Sequence, residues 1–335
     1  MKILSSILTL LFSIQTLYTY SQTLTEKELL EITDMISNKK IIGLGEAEHF
    51  YQGFYRTKLE IVKHLIQNEA INTIALEGSL NITNILNNYI KGGTKHNIPK
   101  LLKALNEPYA LQNAGLFNSI EILELVNWLR EYNFNNEAKI RLIGIDFQNY
   151  SYPLQTLERY AIENQTKQIS DTKSLLDKSM QSIIDSNIMI ITSPEWLNMF
   201  NKARTNINQL KATLQNTSTK DLFKELEQFT DLWVNPNFPR DSMMYDNLIN
   251  QIKDNSKVLL WAHNFHIEND HKFKGPKKLG VYLKERYADQ YFIIGISDQI
   301  TQERLNVLTP IPNSKLPKYD VIIYTPKGDK CEIIN

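Results

Sequence analysis

Six short runs of Ile, Val, Leu and aromatic residues recur along the chain, at 41–44, 73–76, 140–145, 258–261, 291–296 and 321–324. Each is too short for a helix and too continuous for a strand with one wet face. The pattern therefore predicts strands buried on both sides of a sheet. Between the first two runs the period changes. Phe54, Ile61 and Leu65, joined by Tyr55, Leu59, Val62 and Ile66, share one helical stripe, while Arg56, Glu60, Lys63 and Gln67 take the opposite face. Strand, amphipathic helix, strand is the parallel crossover unit. Ser79 is placed to cap a second helix that Gly92 and Gly93 close, and a third is expected over 117–132, with Phe117, Ile120, Leu123, Val126 and Leu129 inward.

After residue 150 the alternation stops. Helical stretches are expected at 154–162, 169–191, from Pro194 with Ser193 as its cap, 221–233 and 243–252, and strands then resume. The expected fold class is α/β: a mostly parallel central sheet with flanking helices and a helical insertion between strands. The chain divides into a signal peptide at 1–21, a first α/β half at 22–150, the insertion at 151–255 and a second half completing the sheet at 256–335.

Charge narrows the function. With 37 Lys+Arg against 37 Asp+Glu, the chain lacks the basic field that a nucleic acid or an anionic membrane surface requires, and neither is expected as a partner. Cys331 is the sole cysteine, so no internal disulfide, thiolate zinc cluster or cysteine nucleophile is expected, and the thiol reads as a tail group without a role. At the other end Lys2 precedes an apolar run over 3–17, followed by the small residues Thr19 and Ser21. Ser5, Ser6, Ser13 and Gln15 interrupt that run, which falls short of the roughly 20 apolar residues of a membrane span. Cleavage before Gln22 would give an exported protein, periplasmic or extracellular, with no membrane anchor.

In open parallel sheets, ligands bind beyond the carboxyl ends of the strands. The first run leads into Gly45, Glu46, Ala47, Glu48 and His49; the second into Glu77; the third into Asp146 and Gln148; the fourth into His263, Asn264 and His266. Charges gathered at one edge of a buried sheet without purpose would cost desolvation and repulsion, so this edge is the candidate site. Glu46 and His49, three apart, can form a carboxylate–imidazole pair with His49 as general base; the competing reading makes His49 a helix cap. Of His263 and His266, one would bind an oxyanion or leaving group and the other position it. Lys58 falls on the apolar stripe and either pairs with Glu46 or Glu77, faces developing negative charge, or lays its stem on apolar surface with the ammonium in water. Arg240 and Asp241 open a helix and fit a cap and salt bridge, with Arg240 also a candidate for substrate binding alongside Lys58, Asp146 and Asn264. His64, His96 and His271 read as surface histidines. Trp196 and Trp233 either line a cleft or belong to a core.

The blocks IIGLGEAEHFYQGFYRTKLEIVKHL, IALEG, IRLIGIDFQ, NFPRDSMMYDNL, KVLLWAHNFHIEN, KKLGVYLKERY and YDVIIY, in that order, resemble the erythromycin esterase family. The pairing of GE-x-x-H with a distant W-A-H-N-x-H is the most specific part. The resemblance implies an α/β core with a helical insertion, and hydrolysis of an ester by a water that histidine activates, with no required cofactor or metal. His49 would be the base, Glu46 its partner, Glu77 the second glutamate, and His263 and His266 the paired downstream histidines. Three positions depart from the family pattern. Glu48 replaces a small hydroxyl residue, Phe50 a glycine, and Lys58 an arginine, so a point charge stands where a bidentate fork is usual.

The expected activity is thus an exported esterase-like hydrolase acting on a small-molecule ester or lactone. No G-x-S-x-G elbow is present, which disfavours an acyl-serine route. Two other readings use the same residues: a zinc hydrolase with His49, His263, His266 and a carboxylate as ligands, and a binding protein on an enzyme scaffold.

Overall fold

The computed structural model describes residues 24–93, 97–104, 119–186, 194–235, 239–298, 308–310 and 318–332. Strands β1 (Ile41–Glu46), β2 (Thr73–Ser79), β3 (Arg141–Asp146), β4 (Val258–His263), β5 (Tyr291–Ser297), β6 (Leu308–Pro310) and β7 (Val321–Tyr324) form one sheet in the order β3-β2-β4-β1-β5-β7-β6. All pairings are parallel except β6 with β7. The six predicted runs are six of these strands, but β1, β2, β3 and β4 extend beyond the apolar runs at their carboxyl ends. Glu46, Glu77, Asp146 and His263 therefore belong to the strands themselves.

Alternate residues along each strand enter two different cores, which is why the runs are apolar without a break. Ile42, Leu44, Ile74, Leu76, Leu259 and Trp261 pack on one face under helices α1 (Glu26–Ile36), α2 (Gln52–Asn68), α3 (Leu80–Ile90) and α5 (Ile120–Asn135), the last of which follows α4 (Ile98–Ala104). Ile41, Ala75, Val258, Leu260 and Ala262 pack on the other. Ser79 caps α3, accepting from Ile82 N, while the expected start of the third helix at 117 lies outside the described residues. α1 was not anticipated, although Thr25 and Glu28 form a complete capping box and Leu29, Ile32 and Ile36 fall on one face. His64 is not a surface residue. It is buried, with Nε2 3.0 Å from the Thr33 hydroxyl, because α1 lies across that side of α2. His271 is exposed, and His96 lies outside the described residues.

Between β3 and β4 come α6 (Ser151–Leu157), α7 (Glu163–Ser186), α8 (Pro194–Leu214), α9 (Lys220–Val234) and α10 (Arg240–Ile249). The predicted 154–162 helix is shorter, passing into a 3-10 turn at Glu158–Tyr160, and the expected cap Ser193 lies outside the described residues. Helices α6 to α9 share a core in which Phe200 stacks on Trp233 at 5.7 Å, with Trp196 packed against it. These tryptophans belong to that core.

One buried carboxyl joins α9 to the sheet. Glu225 is fully enclosed, and its Oε2 accepts from Asn81 N at 3.1 Å and Asn81 Nδ2 at 2.5 Å. Burial pushes the carboxyl up to about 8, against hydrogen bonds from Ser79 and Asn81 that lower it, and Asp146 adds to the rise. The folded state thus keeps a proton that the unfolded chain releases near 4.5, so stability present below pH 4.5 declines as the pH rises toward 8. Glu225→Gln, neutral at every pH, is expected to raise Tm at pH 8 and to bring no gain near pH 4.5. Thermal melts across that range measure it, and an equal shift at both ends would show that another group titrates.

Candidate active site

The register of the sheet brings the site together before any side chain is considered. Glu46 lies opposite His263 across the β1–β4 pairing, and Ser79 lies opposite Asp146 after a bulge in β2 that contains Glu77. Four carboxyl ends meet there. Gly45 permits close packing of the short helix α11 (Asn264–Ile267), since a Cβ on it would stand 2.2 Å from Asn264 Oδ1.

Glu46 is fully buried and holds two partners. Oε1 is 2.8 Å from His49 Nδ1, and Oε2 contacts the Lys58 ammonium, itself fully buried. Lys58 also donates to the Ala262 carbonyl at 3.2 Å and lies over the Trp261 ring, 4.6 Å from its centroid. Burial pushes this ammonium well down from 10.5, while Glu77 pulls it back up. Because a carboxylate only accepts, His49 carries its proton on Nδ1 and its lone pair on Nε2. Among the described residues no hydrogen bond occupies Nε2, and the ring is a quarter exposed. Burial lowers the His49 pKa below 6.5, Glu77 opposes this, and His266 and Arg240 lower it further. At pH 7 the ring is a neutral base.

A second network lies beside it. Arg240, the first residue of α10, donates through Nη2 to Asp146 Oδ2 at 2.7 Å and to Glu77 Oε1 at 3.2 Å. With the Gln148 amide turned so that its oxygen faces the guanidinium, it accepts from Arg240 Nη2 at 2.7 Å and Nε at 2.8 Å. Glu77 also accepts from His263 N at 2.8 Å. Burial alone would raise Glu77, but His266, His49 and Arg240 together hold it well below 4.5. His266 Nδ1 meets Asp241 Oδ1, and Nε2 is 3.3 Å from Glu77 Oε1. Burial opposes charge on this ring and Arg240 opposes it too, yet Glu77 and Asp241 push its pKa up to about 9. It is an imidazolium at pH 7, so its 3.2 Å approach to Arg240 Nη1 is a contact between two donors that share the Glu77 carboxylate.

His263 differs from both other rings. Its Nδ1 accepts from Phe265 N at 3.1 Å, so Nε2 carries the proton donated to the Ala47 carbonyl at 2.9 Å. Burial is the main cause that lowers its pKa to about 4, helped by His49. The ring packs on His49 with centroids 4.6 Å apart. His263 thus caps α11 and ties down the His49 loop, and neither nitrogen is left to meet an oxyanion as expected. Lys58 likewise has no exposed surface with which to meet substrate, and its partners are Glu46, Ala262 O and Trp261. The Asn264 amide nitrogen donates to Ile296 O at 2.9 Å and tethers α11 to β5, while its buried oxygen has no partner among the described residues. Asp146 is buried against Arg240. Arg240 and Asp241 do more than cap a helix, because each reaches a residue of the sheet edge or its following turn. Gln148 stands at the edge where the strand ends placed it, whereas Asp241, expected only as a helix cap and salt-bridge partner, reaches His266.

The loop bearing His49 is held from outside the sheet. Phe50 adopts φ 72°, a left-handed conformation in which glycine is unstrained. The segment after β7 runs antiparallel along this loop: Cys331 N donates to Phe50 O at 2.7 Å, Gln52 N to Asp329 O at 2.9 Å and Gly53 N to Lys327 O at 2.9 Å. A Cβ on Gly53 would meet Pro326 O at 1.9 Å. Glu48 is exposed and pairs with Lys327 at 3.3 Å. Cys331 is not a loose tail thiol. It is buried in the core under α2 and α5, and burial pushes its thiol up so that it stays protonated.

A doubly covered parallel α/β sheet with a carboxylate-oriented imidazole and a cationic cluster at its carboxyl edge defines the general architecture. Residues 66–301 match the family model described as erythromycin esterase, and the chain belongs to that family. The matched span begins after the His49 loop. Erythromycin esterase type II of Escherichia coli is 23% identical over 313 residues, covering 78% of this chain and 70% of the relative. Erythromycin esterase type I of the same organism is 23% identical over 79% of this chain and 72% of its own. A solved structure of an erythromycin esterase mutant in its open conformation superposes with a TM-score of 0.55 at 18% identity, covering 91% of this chain and 80% of that one. The fold is shared, and the family is one of hydrolases.

Proposed function

We propose that the protein hydrolyses an ester or lactone bond of a small molecule by general-base catalysis. One observation carries this reading: His49 is held by a buried carboxylate through Nδ1, is neutral at pH 7, and keeps Nε2 unoccupied among the described residues beside a guanidinium and an imidazolium. Water bound at Nε2 attacks the carbonyl carbon, and its proton passes to Nε2 as the C–O bond forms. The carbonyl electron pair moves to oxygen, where Arg240 is the cation with exposed surface to meet it, and such a donor typically contributes about 3 kcal/mol. When the tetrahedral centre collapses, the leaving alkoxide takes the proton back from His49. Glu77 and Asp146 hold Arg240 in place, Asp241 holds His266 against Glu77, and Glu46 with Lys58 holds His49.

A zinc site built on the same histidines meets an obstacle in the donor set. Both nitrogens of His263 and of His266 are engaged by other groups, and among the described residues no three His, Cys, Asp or Glu side chains are arranged to hold a metal ion. Export is part of this proposal, and its support is the sequence pattern of Lys2 followed by the apolar run over 3–17. No helix among the described residues is long and apolar enough to cross a membrane. Mass spectrometry of the protein from its native host checks this, with a mature chain expected to begin at Gln22.

The pH dependence tests the mechanism. kcat/KM for a turned-over ester is expected to rise along a limb below pH 6.5, where His49 loses its proton and becomes a base. It should fall again near pH 9, where His266 loses the charge that holds Glu77 ionised beside Arg240. A profile flat across both regions would remove His49 and His266 from the reaction.

A further inference from the structure

Two phenyl rings stand beside this site. Phe265 lies between His263 and His266 on α11; its N–H donates to His263 Nδ1, and its ring meets His266 nearly perpendicularly at 5.4 Å. Phe273, from the loop that follows, meets Phe265 at 89° with centroids 5.3 Å apart. They are 39% and 40% exposed. Single apolar residues at a surface need no explanation, but two rings in contact that are built into position do.

Their support is specific. The Lys278 ammonium, buried and paired with Glu268, sits 4.0 Å from the Phe265 centroid and 4.3 Å from that of Phe273. A cation shared by two ring faces in a desolvated place attracts both. Gly275 completes the fit, since a Cβ there would come within 2.3 Å of the Phe273 ring. The rings are therefore fixed from beneath while surface is left open above. A rigid apolar surface loses little freedom when a ligand covers it, and preorganisation of this kind favours binding.

We propose that Phe265 and Phe273 form an aromatic platform that takes the apolar portion of the ester substrate, so that the enzyme prefers esters with a bulky apolar substituent over short ones. The inference rests on the hydrolase reading above. Continuity with the site identifies the occupant: Phe265 is bonded through its backbone to one site imidazole and packs its ring on the other. The neighbouring carboxylates Glu77, Asp146 and Asp241 are all engaged by Arg240 or His266. The polar network thus receives the ester group, and the rings receive an uncharged hydrocarbon.

The test compares the full-length wild type with Phe265→Ala and Phe273→Ala by titrating acid released from ethyl acetate, ethyl 4-phenylbutanoate and 4-phenylbutyl acetate. For whichever phenyl ester the wild type cleaves faster, the ratio of its kcat/KM to that of ethyl acetate is expected to fall about tenfold in each variant, chiefly through KM. Phe265→Leu and Phe273→Leu should lie between. Calorimetry with N-ethyl-4-phenylbutanamide, an unreactive counterpart, should show the same order, with binding about tenfold weaker in the alanine variants. A wild type that cleaves none of the esters but binds the amide through these rings would sink the hydrolase reading and leave the platform standing. Unchanged ester ratios, or amide affinity unchanged or absent in the wild type, would overturn the platform.

Discussion

His49→Ala is expected to lower kcat/KM for an ester substrate by about 10²–10⁴-fold, the range that a positioned general base contributes. The fold should not follow. The ring is a quarter exposed on a loop, and its replacement leaves the Glu46–Lys58 ion pair in place, so Tm should stay close to that of wild type. The loss should appear in kcat more than in KM, because the proton moves only as the carbonyl is attacked. Glu46→Gln gives a companion result. An amide can donate to Nδ1 and so leave the proton on Nε2, the wrong tautomer for a base, and activity should fall although His49 is untouched. Initial-rate kinetics with near-UV circular dichroism would measure both. A His49→Ala protein that kept wild-type turnover would place the base elsewhere.

Lys58→Met is expected to cost about 3–5 kcal/mol of stability, the usual penalty for removing one partner of a buried ion pair. The size follows from what remains: Glu46 has no exposed surface, and its other partner is a neutral imidazole. Chemical denaturation gives the number directly. Lys58→Arg keeps the charge, so it should retain most of the stability. In the double variant Lys58→Met with Glu46→Gln, both charges are gone and part of the loss should return. A strictly additive double variant would show that the two side chains do not act as a pair. Activity supplies an independent reading, since Lys58 touches Glu46 rather than solvent and its loss should release the His49 ring.

Much of this scaffold was legible because its strands are covered on both faces. Runs such as 258–261 have no polar interruption, and α2 shows its stripe plainly, so element type followed from periodicity alone. β6 escaped notice because Leu308–Pro310 is three residues long and defined only by pairing with Val321–Ile323. α1 was passed over although Thr25 and Glu28 signal its start. The dyad of Glu46 and His49 was readable because three residues of separation suffice to bring the groups together. The second network was not, since Arg240 reaches Asp146 and Glu77 across 94 and 163 positions of sequence. No local pattern encodes such contacts. The hydrogen bonds of His263 and Asn264 were hidden for a related reason: strand-end polar groups look alike in sequence whether they face a ligand or satisfy a backbone carbonyl.

The antiparallel segment of residues 326–331 along the His49 loop has a consequence for the order in which a growing chain becomes competent. β1 emerges early, yet two of its sheet neighbours, β4 and β5, lie more than two hundred positions later, and the peptide groups that brace residues 50–53 come later still. The nascent polypeptide can thus assemble most of its architecture while its base loop remains unmoored. The bracing of the His49 loop waits on residues 326–331, and a protein nicked or cut before residue 326 is expected to keep its shape more readily than the placement of that imidazole.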